Sequence, residues 1–166
     1  MFLNLKHHNL LVFEPLSQAD ADNVLVNARM LRDAAQAGAT QALLRGKNLG
    51  LLCEFDDADA ALFRRAAVTL GAHVAHIRPS LSELSTPQQV ENTARLLGRL
   101  YDAVECQGMA PALVQQMGDA AGVPVFDGIA TPTHPTARLA AVLGGDRPTD
   151  VDRCCVLQAI LLATIP

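Results

Sequence analysis

The sequence predicts an α/β fold in which a four-stranded parallel sheet is flanked by helices. Three observations predict it. Short apolar runs alternate four times with helix-spaced segments. The connections between them are short, as in parallel sheets with right-handed crossovers. Residues 49–71 join an apolar run directly to a helical pattern closed by Gly71, the signature of a buried strand leading into its covering helix.

The elements follow in order. Residues 10–13 form a short apolar stretch before Glu14-Pro15, and the neighbouring His7 and His8 are read as solvent-facing rather than as metal ligands. Ser17 with Asp20 three residues on marks a helix start; Val24, Ala28, Leu31 and Ala35 form its apolar stripe and Gly38 ends it. Residues 45–48 turn the chain into the central strand. In the helix that follows, Leu62/Ala66 and Phe63/Ala67/Leu70 fall at helical spacing. Residues 72–77 read as a second strand and 78–85 as a polar loop. Thr86-Pro87-Gln88-Gln89 combines an N-cap, a proline at the first helical position and a glutamine at the third. Val90, Ala94, Leu97 and Tyr101 then share one face. Residues 102–106 are a third strand. Pro111 opens a helix with Leu113, Met117 and Ala120 inward, closed by Gly122; residues 123–126 are a fourth strand. A loop over 127–133 leads to His134-Pro135 and a helix ending at Gly144-Gly145. The last helix, 150–166, is apolar nearly all round, so most of its surface must be covered. Either it is central within the chain or a second subunit covers it, and partial burial by an oligomer partner is the expectation.

Composition narrows the function. The chain has 166 residues, half of them hydrophobic, and a net charge of −4, enough for one domain with a core of Leu, Val and Ala. No basic block or aromatic-studded basic face speaks for nucleic acid. No run has the length of a membrane span and no signal-peptide pattern opens the chain. The four cysteines lack Cys-x-x-Cys spacing, which suggests reduced thiols in a cytoplasm.

Ligands of open parallel sheets sit beyond the carboxyl ends of the strands. The residues leaving those ends are 53–57, 77–80, 105–108 and 127–134. A strand feeding a helix aims N–H groups and partial positive charge at the turn, which is an anion site by architecture. Here Asp56, Asp57 and Asp59 occupy it. They cap the helix and repel a phosphate; a cation such as Mg2+, or an amine, is the alternative use. Cys53 and Cys106 leave neighbouring strands. They read as a soft cation site with His134 and an aspartate, as a redox pair, or as two small buried hydrophobes.

The order Leu44-x-Gly46-Lys47-x-Leu49, Glu54, Phe63, Leu70-Gly71-x-His73, Asn92-Thr93-Ala94-Arg95-x-Leu97, Asp102-Ala103, Val123-Pro124-Val125, Asp127-Gly128 and His134-Pro135 resembles the carbamoyl-phosphate half of ornithine and aspartate carbamoyltransferases, over most of residues 9–145. The resemblance implies a Rossmann-like domain. The stretch from Asp152-Arg153 to Ala163-Thr164-Ile165 is similar to the final helix of ornithine carbamoyltransferase, which returns to pack on the first domain; the resemblance implies one domain over 1–166, with residues 145–149 a short linker where the family has a whole second domain and residues 150–166 packing back on it.

The family's phosphate turn, Ser-Thr-Arg-Thr-Arg, falls on Asp56-Asp57-Ala58-Asp59-Ala60, which holds none of its hydroxyls or arginines. Its carbamoyl-contacting arginine falls on Gln107, and the glutamine of its His-Pro-x-Gln motif falls on Ala137. Only His134 remains, as a vestige, either acting on a carbonyl or hydrogen-bonded locally. The loop that the family lends to a neighbouring chain's site corresponds to residues 78–85, with Arg78 and Glu83. The resemblance therefore implies a non-catalytic relative, a homotrimer or a mixed oligomer with a true carbamoyltransferase, serving assembly or regulation without a cofactor. The alternatives are an enzyme or ligand binder with a changed substrate, using Glu105, Gln107, His134 and the aspartates, or a carbamoyltransferase completed by a separate second domain.

Overall fold

The computed structural model describes residues 16–166. The stretch 10–13 and the residues His7 and His8 lie outside the described residues. The elements are α1 (Gln18–Gln36), β1 (Asn48–Leu52), α2 (Ala58–Thr69), β2 (His73–Ile77), α3 (Pro87–Leu100), β3 (Ala103–Cys106), α4 (Pro111–Ala121), β4 (Val125–Asp127), α5 (Ala137–Gly144) and α6 (Asp150–Thr164). The four strands form one parallel sheet in the order β2-β1-β3-β4. β1 and β3, the central pair, are buried along nearly their whole length, as a sheet covered on both faces requires.

Helix starts follow the sequence signals. Ser17 and Asp57 cap α1 and α2 through their side chains, and Thr86 with Gln89 closes a full capping box on α3. α4 ends at Gly122, whose φ of 72° is the left-handed conformation glycine tolerates. In α1 the inward stripe is Val24, Leu25 and Ala28, and Ala35 is exposed. In α4 Ala121 rather than Ala120 is buried. Leu31 and Ala120 still pack against the core, partly buried.

Strand alternation divides the core. Leu49, Leu51, Cys53 and Phe126 pack against α1, α2, α5 and α6. Leu52, Val104, Cys106 and Val125 pack against α3 and α4 on the opposite face.

Of the two covers considered for the last helix, the chain itself supplies the one observed: the helix packs back on the domain, and the expectation of cover by a second subunit is corrected. α6 packs against α1, α2 and α5 within the chain, and every residue from Cys154 to Leu161 is buried there. Its few polar groups have internal partners. Asp152 completes a capping box with Thr149 and meets Arg32 of α1 at 3.4 Å. Gln158 donates to the Ala66 carbonyl of α2 at 3.3 Å. An all-round apolar helix is the expected form for an element enclosed by three others.

Candidate functional site

A crevice of about 680 Å³ opens at the carboxyl ends of the strands. The turn after β1 contributes Cys53, Glu54, Phe55 and Asp57, the loop after β2 contributes Pro79, Leu81, Ser82 and Glu83, and the segment after β3 contributes Gln107 to Ala110. Three of the four strand ends singled out by topology thus converge. Glu54, Asp57 and Glu83 are the charged lining residues, and all are acidic. Arg78 is exposed and does not line the crevice.

The turn after β1 is occupied by its own side chains. The Asp57 carboxylate accepts the Ala60 N–H at 2.9 Å and so takes up a donor of the α2 N-terminus. Asp56 receives the Arg64 guanidinium at 2.9 and 3.1 Å. Asp59 faces Arg153 of α6 at 3.9 Å; burial, then the Asp57 charge, raises its carboxyl above the usual range against the pull of Arg153. Ala58 is exposed and Ala60 buried; neither offers a polar side chain. Arg64 is the cation nearest the turn by contact, yet it is bound to Asp56 and does not line the crevice.

Gln107 differs from these residues. Its side chain is 8 % exposed, and neither its amide nitrogen nor its oxygen has a hydrogen-bond partner among the described residues. Such a group carries its full desolvation cost. Glu105, one residue inside β3, is fully buried. Its Oε1 accepts from the Gly128 and Ile129 amides at 2.8 and 3.2 Å, and Oε2 is unpartnered. Burial pushes its carboxyl up to about 8 despite those donors. Asp127, with its Oδ2 unpartnered, is raised by burial as well.

His134 does not join the crevice. It is buried in the loop before α5, and Nδ1 accepts from the Thr136 amide at 3.2 Å and pairs with the Thr136 hydroxyl at 2.7 Å. An accepting Nδ1 assigns the neutral proton to Nε2. Burial lowers the imidazole to about 4. This is the local, hydrogen-bonded role that the sequence offered beside a chemical one. Ala137 is the first residue of α5 and donates its N–H to the His134 carbonyl at 2.9 Å.

Of the three readings of Cys53 and Cys106, the structure supports two small buried hydrophobes rather than a shared thiol site. β1 and β3 are neighbours, but Leu52 stands opposite Cys106, so Cys53 lies one residue beyond the pair. One step along a strand reverses the side chain, and the two thiols join opposite core clusters. All four cysteines are free. No group of three or more His, Cys, Asp or Glu side chains among the described residues is placed to hold a metal ion. Burial, then the Asp56 and Asp57 charges, raises the Cys53 thiol.

Sequence reading did not find Arg64 as the partner of Asp56, eight residues away across a turn, nor Arg153, whose reach to the Ala130 carbonyl at 2.8 Å depends on α6 folding back. No linear signal marks either.

The family model described as aspartate/ornithine carbamoyltransferase, carbamoyl-P binding domain, matches residues 8–144. The chain is 38 % identical over 144 residues to the ornithine carbamoyltransferase of Actinobacillus pleuropneumoniae serotype 5b, covering 86 % of this chain and 43 % of that protein. The same figures hold for the catabolic ornithine carbamoyltransferase of Haemophilus influenzae. The chain thus spans less than half the length of these curated relatives. In fold it is similar to the ornithine carbamoyltransferase of Pyrococcus furiosus, with a TM-score of 0.72 at 23 % identity over 85 % of this chain and 45 % of that one. The Burkholderia thailandensis enzyme gives a TM-score of 0.70 at 22 % identity, over 84 % and 48 %.

Proposed function

The chain belongs to the aspartate/ornithine carbamoyltransferase family, and on that premise we propose that it is a member that does not transfer carbamoyl groups and serves as a structural, assembly or regulatory subunit. One observation carries this reading: the Asp57 carboxylate sits on the α2 N-terminus where an anion would be cradled. Carbamoyl phosphate is a dianion, and its transfer needs fixed positive groups at the developing charge. Loss of one oriented donor removes about 3–4 kcal/mol of transition-state stabilisation. A carboxylate ~5 Å from a phosphate oxygen adds a repulsion of about 3 kcal/mol at an effective dielectric near 20. Asp56, Asp57, Ala58, Asp59, Ala60, Gln107 and Ala137 are the degenerate positions of the phosphate and carbamoyl contacts.

The partner on this reading is a second copy, as a trimer, or a true carbamoyltransferase in a mixed oligomer, in the cytoplasm. Exposed apolar side chains at the crevice support an association: Phe55 is 76 % exposed, and Leu84, in the loop that forms one wall, is 95 % exposed. Among the described residues no helix is long and apolar enough to cross a membrane.

The test has two parts. Calorimetry with carbamoyl phosphate is expected to show no binding at millimolar ligand, and transfer to ornithine or aspartate no turnover; a micromolar isotherm or measurable turnover overturns the proposal. Light scattering of the chain, alone and mixed with an active ornithine carbamoyltransferase, is expected to show an oligomer; a monomer in both arms removes the assembly role.

A second reading, a small-ligand binder or an enzyme of amino-acid metabolism with a changed substrate, is favoured by the crevice itself, about 680 Å³ at the strand ends.

A further inference from the structure

A second cleft, of about 450 Å³, lies in the helical layer formed by α1, α2 and α6 and shares no lining residue with the strand-end crevice. Its walls are the last turns of α1, Arg65 and Thr69 of α2, and the first half of α6; residues 39–43, which follow α1, close one side. The lining is mostly aliphatic or sulfur-bearing: Met30, Leu31, Leu43, Val151, Cys154 and Cys155. Among the described lining residues there is no aromatic ring and no carboxylate, and the one cation is Arg65. The cleft is deep rather than flat. Met30 and Val151 at its rim are 62 % and 51 % exposed, whereas Cys155 and Gln158, which it also reaches, are buried. A concave set of apolar side chains with one charged group at its edge is the usual form of a small-molecule site.

Arg65 fixes the polar end. Its half-exposed guanidinium donates to the Asp150 carbonyl at 3.3 Å and also bonds the Cys154 thiol. Those contacts set it against the first turn of α6, where Val151 and Cys154 line the cleft. Its ion partner there, the Asp150 carboxylate, stands off at 3.9 Å on an exposed side chain, a pairing that contributes little. A ligand carboxylate that accepts two guanidinium donors in a fork is the stronger partner.

We propose that this cleft binds a free medium-chain aliphatic carboxylate, with its alkyl chain among Met30, Leu31, Leu43 and the two cysteines and its head paired with Arg65 in exchange for Asp150. The aliphatic lining suits a methylene chain and offers an aromatic ligand no ring to stack on. The depth favours a slender molecule over the flat face of another protein. Burial of the chain makes affinity rise about fourfold per methylene until the cleft is filled. The site stands apart from the strand-end crevice, so it holds whether or not the chain transfers carbamoyl groups.

The test is calorimetric titration of the purified chain with sodium octanoate below its micelle-forming concentration. Hexanoate, n-octanol, n-octylammonium and acetate are separate arms. Saturable binding of octanoate is expected, with hexanoate about tenfold weaker, octanol weaker than octanoate, and no binding of octylammonium or acetate. Arg65→Gln is expected to weaken octanoate binding about tenfold, and Asp150→Asn, which removes the competing carboxylate, to tighten it. Met30→Glu changes an exposed side chain; checked for folding by circular dichroism, it is expected to abolish binding. Phe55→Ser, in the strand-end crevice, is expected to leave affinity unchanged. Absence of saturable octanoate binding, octylammonium binding as tight as octanoate, or indifference to Arg65→Gln or Met30→Glu each overturns the proposal. Weaker binding with Asp150→Asn, or loss of binding with Phe55→Ser, does the same. An oligomer that Met30→Glu dissolves, read by light scattering, gives the cleft to a second copy and also overturns it.

Discussion

The Asp57 carboxylate and the Ala60 amide are joined at 2.9 Å, and this one hydrogen bond both starts α2 and fills the position an anion would take. The two roles separate under mutation. Asp57→Ala is expected to lower stability by about 1 kcal/mol, the usual loss for an N-cap, while Asp57→Ser retains most of it. Urea unfolding of the three proteins measures the difference. Neither variant is expected to gain carbamoyl phosphate binding, because no arginine is released into the crevice.

Arg32 ties three helices together. Its guanidinium donates to the Leu143 carbonyl at the end of α5 at 2.8 Å and meets Asp152 of α6 at 3.4 Å. Burial would raise the Asp152 carboxyl, but the Thr149 amide and hydroxyl and the Arg32 charge outweigh it and hold the group below the usual range. Arg32→Ala leaves the Leu143 carbonyl and the Asp152 Oδ1 without the Arg32 donor, and is expected to cost about 1–3 kcal/mol. A double-mutant cycle with Asp152→Asn isolates the coupling.

Two buried groups give stability a pH signature. The folded chain keeps a proton on Glu105 up to about pH 8, whereas the unfolded chain loses it near 4.5. The unfolded state therefore binds fewer protons across that interval, and stability falls as pH rises through it. His134 acts in the other direction. Its imidazole charges near 6.5 when unfolded but only near 4 when folded, so stability is lost as pH drops below 6.5. The two slopes oppose each other below 6.5. Above it Glu105 acts alone, at up to ~1.4 kcal/mol per pH unit. Glu105→Gln keeps an acceptor for the Gly128 and Ile129 amides, and is expected to flatten unfolding free energy between pH 6.5 and 8.

The cysteines are expected to stay separate. Cys53 and Cys106 face opposite sides of the sheet, so oxidation of the native chain yields no bond between them. Burial raises all four thiols, the Cys106 thiol most strongly, with the charges of Glu105 and Asp127 adding to it. Intact mass under non-reducing conditions, after mild oxidant, is expected to show four free thiols.

Local rules made most of the fold legible. The caps at Ser17, Asp57 and Thr86 are written in three or four consecutive residues, and each forms as written. The central strand β1 announces itself because both its faces are covered and residues 49–52 are continuously apolar, whereas β2, at the sheet edge, carries exposed His73 and His76. The apolar pattern of α6 did not by itself name its cover, because it fits any apolar surroundings and α1, its main neighbour, begins more than a hundred residues earlier; only the resemblance to a helix that returns to its first domain pointed there. At the site, the lost arginines and hydroxyls are plain from residue identity. The isolation of His134 is not, since it depends on Thr136 turning back onto the ring. Nor is the unpaired burial of the Gln107 amide, which only the three-dimensional arrangement defines.

The sheet also works as a partition. The apolar side chains above it and those below it form two sets with the strands between them. Damage such as Ala66→Gly above and Met117→Ala below therefore falls in rooms without a common wall of side chains, and the two losses are expected to sum. Sequence drift on the α3–α4 side is thereby largely insulated from the side that carries α6, so either half can change its packing without asking the other to follow.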